Sequence, residues 1–153
     1  VTNNGAVEAF ASAGYSLAEL MIVITCSAIL LAAAAPNVVQ LQREWTLWGS
    51  ARVLEAALQW GRMHAISSNS SLLFEVDANQ QKFFWADPES GDPYDGSVRY
   101  LSRGVHVISC PSRPLRFYQH GNAAPAGTYT LEGETGSYSV VVSPGGRIRI
   151  QRN

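Results

Sequence analysis

GYSLAELMIVITCSAILLAAAAPNVVQL, residues 14–41, is an apolar run broken by one carboxylate, Glu19. From Ser16 to Gln42 the only ionisable side chains are Glu19 and Cys26, and the next charge is Arg43. Thr25 and Ser27 interrupt the run, but their hydroxyls can bond back to helix carbonyls. Leu17 to Leu41 spans roughly 37 Å as an α-helix at about 1.5 Å per residue, enough for a bilayer core of about 30 Å. A cleaved secretory signal, with Ala32–Ala35 as its small-residue site, and a plain signal anchor are the competing readings. A carboxylate at the start of a membrane helix is costly and marks a function or a partner. Glu19 therefore argues against both.

The heptapeptide Gly14-Tyr15-Ser16-Leu17-Ala18-Glu19-Leu20 resembles the processing signal of type IV pilins and pseudopilins: a glycine, an aromatic residue, and glutamate fifth after the cut. The resemblance implies cleavage between Gly14 and Tyr15 by a membrane prepilin peptidase, followed by methylation of the new amino terminus. The α-amine made at Tyr15 would then neutralise Glu19, most simply on an adjacent subunit, so that neither charge is buried alone. Pro36 stands where such proteins commonly carry a proline, and it removes a helix hydrogen bond. In related filaments that region can unwind on assembly. Val1–Gly14 would be the leader; it holds no Lys or Arg and includes Glu8, whereas prepilin leaders are usually basic.

Beyond Pro36 the helical period persists while polar content rises. Leu47, Ala51, Leu54, Leu58, Gly61 and Ala65 form one apolar stripe, and Leu41, Trp45 and Trp48 a second, offset patch. Trp45, Trp48 and Trp60 read as core or interfacial packing, with the bilayer boundary or a subunit contact as the other reading for the first two. The helix should run from Ser16 to Ile66 and stop in Ser67-Ser68-Asn69-Ser70-Ser71.

From residue 70 the period switches to two. Ser71–Asp77 and Gln81–Ala86 read as a hairpin, followed by strands at 97–101, 105–109, 115–119, 128–132, 137–143 and 147–151. Gly- and Pro-bearing turns separate them, with 121–127 taken as one such turn. The expected fold class is α+β, a pilin-like lollipop: a long N-terminal helix, membrane-spanning in its first half, packed on a C-terminal antiparallel β domain. The expected divisions are 1–14 leader, 15–41 transmembrane and assembly helix, 42–69 amphipathic continuation, and 70–153 β domain.

Near the end, Phe117-x-x-x-Gly121, Pro125-x-Gly127-Thr128 and Val140-Val141-Val142-Ser143-Pro144-Gly145-Gly146-Arg147-Ile148-Arg149 resemble the GspH/FimT family of minor pilins and pseudopilins. That resemblance implies a minor subunit of a type II secretion pseudopilus or a type IV pilus, acting in filament assembly, tip recognition and protein secretion. Its implied partners are other pilin or pseudopilin subunits, prepilin peptidase, the inner membrane, and either secreted proteins or DNA. The implied location is the bacterial inner membrane, single-pass with a periplasmic C-terminal domain, and the filament after assembly. A bitopic protein with no filament role is the weaker rival.

Charge is unevenly placed. Residues 72–98 carry six acids against Lys82, whereas 99–153 carry seven arginines against Glu132 and Glu134. Arg147 and Arg149 flank Ile148, so on a strand they share a face, and Arg152 is a candidate extension of the patch. The Gly-Arg-x-Arg sequence resembles a motif associated, in the FimT branch, with DNA binding during natural transformation, and arginines so placed can grip successive phosphates. The bland alternative is a solvated last strand whose charges discourage edge pairing. The acidic loop Asp87–Gly96 has oxygen ligands suited to calcium, but no EF-hand spacing, and reads as an ordinary surface loop. His64, His106 and His120 lack metal-ligand spacing, Cys26 and Cys110 sit too differently to pair, and no nucleophile–base set is apparent. No enzyme, cofactor or metal is expected.

Overall fold

The computed structural model describes residues 16–153, so Gly14 and Tyr15 lie outside the described residues. Among these, one helix, α1 (Leu17–Ser67), precedes nine strands: β1 (Leu72–Asp77), β2 (Lys82–Ala86), β3 (Arg99–Tyr100), β4 (His106–Ser109), β5 (Leu115–Phe117), β6 (Ala123–Ala124), β7 (Gly127–Gly133), β8 (Gly136–Val142) and β9 (Ile148–Arg152). The chain divides into two compact units, Val1–Val38 and Val39–Asn153.

In the first unit Ser16 precedes the helix, and its carbonyl accepts from the Leu20 amide at 3.1 Å. Glu19 falls in the first turn, where the helix dipole favours an acid. Leu17, Leu20, Met21, Ile22, Val23, Ile24, Ile29, Leu30 and Leu31 are all exposed among the described residues. Thr25 Oγ1 donates to the Met21 carbonyl at 2.7 Å, removing its hydroxyl from the apolar surface. No single helix among the described residues is long and apolar enough to cross a membrane, though Leu17–Ala33 and Asn37–Ser67 together meet the requirement of length and composition. Leu17–Ala33 alone measures about 25 Å at roughly 1.5 Å per residue, short of a core of about 30 Å. A span therefore needs residues beyond Pro36.

The second unit contains the core. Leu47, Ala51, Leu54, Leu58 and Ala65 of α1 are buried against Leu72, Phe74, Phe83, Trp85, Leu115 and Phe117 of one sheet and Tyr129, Leu131, Val140 and Val142 of the other. The sheets are antiparallel, with strand orders β3-β2-β1-β5-β6 and β4-β7-β8-β9. Phe74 is the aromatic hub: its ring lies 4.7 Å from Trp85, 5.6 Å from Tyr129 and 5.7 Å from Phe83. Gly61 lets the helix come close, since a Cβ there would overlap the Trp85 indole.

Local chemistry fixes the element ends. At the C-terminus of α1, Asn69 takes φ 49°, the Asn69 amide donates to Ile66 O at 3.3 Å and the Ser70 amide to Ala65 O at 3.2 Å. This is the double bond of a Schellman cap, with Asn in the left-handed position. The β1–β2 turn is held by Asp77, whose Oδ1 accepts from the Asn79 and Gln80 amides at 3.0 and 3.1 Å.

Two expectations change. Trp45, Trp48 and Trp60 are 69%, 49% and 51% exposed, so none belongs to the core. The helix has one dry stripe, and these three residues lie off it. Residues 123–124, expected within a turn, form β6 against β5, because Pro144 O accepts from the Ala123 amide and holds that segment extended.

The two helix-interior glycines should respond oppositely to alanine. Gly49→Ala meets no atom within 4 Å and is expected to stabilise the fold by about 0.5–1 kcal/mol through backbone entropy. Gly61→Ala must displace a buried indole and is expected to cost about 1–3 kcal/mol net. Urea midpoints of the two variants would check the pair of signs.

Candidate functional site

Two parts of the molecule carry the residues singled out from sequence. The first is the start of α1, where Glu19 is exposed and the apolar side chains after it face outward. Gly14 and Tyr15, the two residues of the expected scissile bond, lie outside the described residues. Pro36 falls within the span of α1.

The second is the β8–β9 hairpin. Val142 pairs with Ile148, leaving Ser143–Arg147 as the loop. Gly146 N donates to Ser143 O at 2.8 Å, closing a β-turn with Pro144 at its second position, which suits the fixed φ of proline. Gly146 then takes φ 74°, and a Cβ there would overlap the Gly121 carbonyl oxygen. Arg147 is locked by backbone: its amide donates to Ser143 Oγ at 3.1 Å, and its carbonyl accepts from the Ser143 amide at 2.9 Å. Its side chain is exposed, as is that of Arg149, whose backbone pairs with Val141. Among the described residues neither guanidinium has an acidic partner.

Arg152 is placed differently. Strand alternation puts it on the side of Ile148 and Ile150, where Nη1 meets Glu44 Oε1 at 2.7 Å and the guanidinium lies 5.9 Å from the Tyr138 ring centre. The hairpin thus presents Arg147 and Arg149 outward and turns Arg152 back toward α1.

Sequence reasoning passed over Arg62. It lies on α1, and its Nε donates to the Gly121 carbonyl at 2.9 Å, so helix, 121 loop and hairpin turn meet at one point. Gln59, Arg62, Met63, Gly146, Arg147 and Ile148 line a shallow cleft there, adding a third arginine beside the loop. Nothing in the spacing of Arg62 along the helix separates it from Arg43 or Arg52. Only the tertiary approach of Gly121 does.

The acidic loop is organised by its own backbone. Asp87 Oδ1 accepts from the Glu89 and Ser90 amides at 2.8 and 3.1 Å, and these bonds hold the carboxyl below its ordinary range. Tyr129 is shifted upward by burial in the core. Both perturbations have structural causes and lie in different parts of the unit. Cys26 and Cys110 are free and exposed.

A helix with an exposed apolar start, a dry stripe in its second part and two antiparallel sheets packed on that stripe define a pilin-like subunit of the α+β class. The sequence matches the prokaryotic N-terminal methylation motif over residues 10–35 and the family described as type II transport protein GspH over residues 50–146. The chain belongs to the GspH family. It is a structural, non-enzymatic subunit, a minor pseudopilin of type II secretion or type IV minor pilin. The family implies assembly with other pseudopilins and processing by prepilin peptidase, and the methylation motif implies an N-terminal helix anchored in the inner membrane before assembly.

Solved structures share the fold. The type IV minor pilin FimU of Pseudomonas aeruginosa (strain PAO1) is 19% identical, with 69% of this chain and 87% of that one covered at a TM-score of 0.59. The minor pseudopilin EpsH from the type 2 secretion system of Vibrio cholerae is 14% identical, with 69% and 96% covered at 0.58. No curated protein matches the sequence significantly.

Rigidity of the Arg147 loop should depend on Gly146 and not on its neighbour. Gly146→Ala, forced into both a left-handed φ and the Gly121 carbonyl, is expected to lower stability by about 1–3 kcal/mol. Gly145→Ala has open space round its Cβ and should stay within about 0.5 kcal/mol of the parent. Urea unfolding would separate the two, and amide exchange at Arg147 should rise only in the first.

Proposed function

We propose that the chain is a minor subunit cut after Gly14, single-pass in the bacterial inner membrane, with its distal unit in the periplasm until it joins a pilus or pseudopilus. In this reading 1–14 is the leader, 15–41 the transmembrane and assembly helix, 42–69 its amphipathic continuation and 70–153 the β domain. The observation that carries it is the methylation motif over residues 10–35, running into the start of a helix whose large apolar side chains from Leu17 to Leu31 are exposed. Such a surface is unfavourable in water at about 25 cal/mol per Å² and calls for lipid or neighbouring helices. Cleavage gives Tyr15 a cationic amine, and the Glu19 carboxylate of the next subunit is its partner. Pro36 loosens the helix where the filament needs it to yield. The distal unit meets other minor subunits or secreted proteins.

Gly14→Lys should block processing, because the peptidase loses its glycine. Glu19→Ala should be processed yet enter filaments poorly, since the new amine is left unpaired. Immunoblots of processed and filament fractions would test this; normal incorporation of both variants refutes the reading.

A second reading has its own support. Arg147 and Arg149 stand exposed on a backbone-locked hairpin, free of acidic partners among the described residues, as a phosphate-binding pair requires. The partner would be DNA, as in uptake during transformation. Arg147→Ala and Arg149→Ala should each weaken DNA binding at low salt and reduce the salt slope by about 1. Arg152→Ala should change it less, because that guanidinium is engaged by Glu44. Titration of labelled duplex at two salt concentrations decides the matter, and no binding at low salt removes DNA as partner.

A further inference from the structure

α1 carries three arginines, and the fold partners them differently. Arg43 meets Glu134 and Arg52 meets Glu55, whereas Arg62 has no acidic partner among the described residues. Arg43 and Arg52 are exposed, but Arg62 is half-buried. A cation drawn out of water without a counter-charge is costly until an anion neutralises it.

The Arg62 side chain is held by main chain. Its Nε donates to the Gly121 carbonyl at 2.9 Å. Gly121 and Gly146 are both buried, and a Cβ on Gly146 would overlap that same carbonyl oxygen. The two loops are tied again where the Ala123 amide donates to Pro144 O at 2.9 Å. A guanidinium holds five donors in a rigid planar fork, and this bond uses one of them. The Nη1–Nη2 edge stays unengaged among the described residues. Such an edge grips two oxygens of one oxyanion at once.

Arg62 lines a cleft of about 270 Å³ with Gln59 and Met63 of α1 and with Gly146, Arg147 and Ile148 of the hairpin. Residues 59, 62 and 63 stand at the three- and four-residue spacing of one helix face. Arg147 brings a second guanidinium without an acidic partner, on a backbone locked by Ser143. Gln59 adds a carboxamide, Met63 and Ile148 form apolar walls, and no carboxylate lines the cleft. Two like charges lining one small space repel, and an anion between them removes that cost. The volume falls below the roughly 300–1,000 Å³ of a site for a drug-sized ligand, so it suits a single oxyanion group.

We propose that the cleft between α1 and the β8–β9 hairpin is a phosphate-binding site, with the Arg62 Nη edge and the Arg147 guanidinium as its donors. The phosphate is either the free ion or one phosphodiester of a nucleic-acid backbone. The site goes beyond the reading that sets phosphates on Arg147 and Arg149, and it shares only Arg147 with it. Because a carbonyl already orders Arg62, little affinity is lost in immobilising that side chain.

The test uses the full chain in maltoside micelles at low salt, with backbone amides and arginine Nε–H groups followed by NMR. Inorganic phosphate and a short DNA duplex are titrated separately. At least one should shift the Arg62 Nε–H together with the Gly146 and Arg147 amides, and saturably. Arg147→Ala should weaken that binding roughly tenfold, the loss of one charge-assisted bond. Met63 is 71% exposed, so Met63→Glu adds an acid to the cleft wall without touching the Arg62–Gly121 bond, and it should abolish binding. Arg52→Ala, whose guanidinium is engaged by Glu55, should leave binding unchanged. A response to DNA assigns the phosphate to a nucleic-acid backbone, and a response to inorganic phosphate alone assigns it to the free ion. If neither probe moves the Arg62 Nε–H, the site is overturned, even where DNA still shifts Arg147 and Arg149 and so upholds the hairpin reading. Binding undiminished in Met63→Glu overturns it as well.

Discussion

The close approach of α1 to Trp85 at Gly61 sets the geometry of the distal unit. A buried indole can lie against a helix backbone only where the helix lacks a Cβ, and Gly61 supplies that place. Trp85 in turn touches Phe74 and Phe117, so β2, β1 and β5 are all referenced to one helical residue. Leu54, Leu58 and Ala65 stand at helical spacing on either side and carry the same dry stripe along the axis. Each fully buried aliphatic chain contributes about 1.5–3 kcal/mol. Surface ion pairs such as Arg43–Glu134 contribute about 0–1 kcal/mol. Packing along this stripe, and not charge, holds helix and sheets together.

How much of this could be read from residues alone depended on whether the signal was periodic. The stripe from Leu47 to Ala65 was legible because a 3.6-residue period needs no tertiary knowledge, and all six of its members are buried. The β1–β2 hairpin was legible because alternation and an Asp-led turn fall together. The helix end at Ser67 was legible as a run of poor helix formers, although the cap that Asn69 makes was not foreseen. β6 escaped because two alanines carry no alternation; a carbonyl of the distant 143–146 turn makes it a strand. For Trp45, Trp48 and Trp60 the residues left core and interface both open, since hydrophobicity ranks tryptophan for burial without saying which face it occupies, and their exposure removes only the core half.

The candidate sites divide in the same way. Local parity would put Arg147 and Arg149 on one face of a strand; both are exposed, with Arg149 on β9 and Arg147 in the loop before it. The same parity separates Arg152 from them, since position 152 shares its side with Ile148 and Ile150. Arg62 carries no local mark at all. Its approach to the 121 loop depends on how helix and hairpin converge, which only the folded chain provides.

The single helix meets two incompatible solvents. From Leu17 to Leu31 its large apolar side chains are exposed among the described residues, and from Leu47 onward one stripe is covered almost completely. Between them, residues 38–48 expose valine, leucine and tryptophan while every charge nearby is matched. A purely aqueous helix would gain little from such matching, because exposed pairs are screened and cost side-chain entropy. Where water thins out, an unmatched charge is expensive and a matched one is tolerable. Arg43, Glu44 and Arg52 each meet an opposite charge, Glu134, Arg152 and Glu55 in turn, so none stands alone beside the exposed tryptophans.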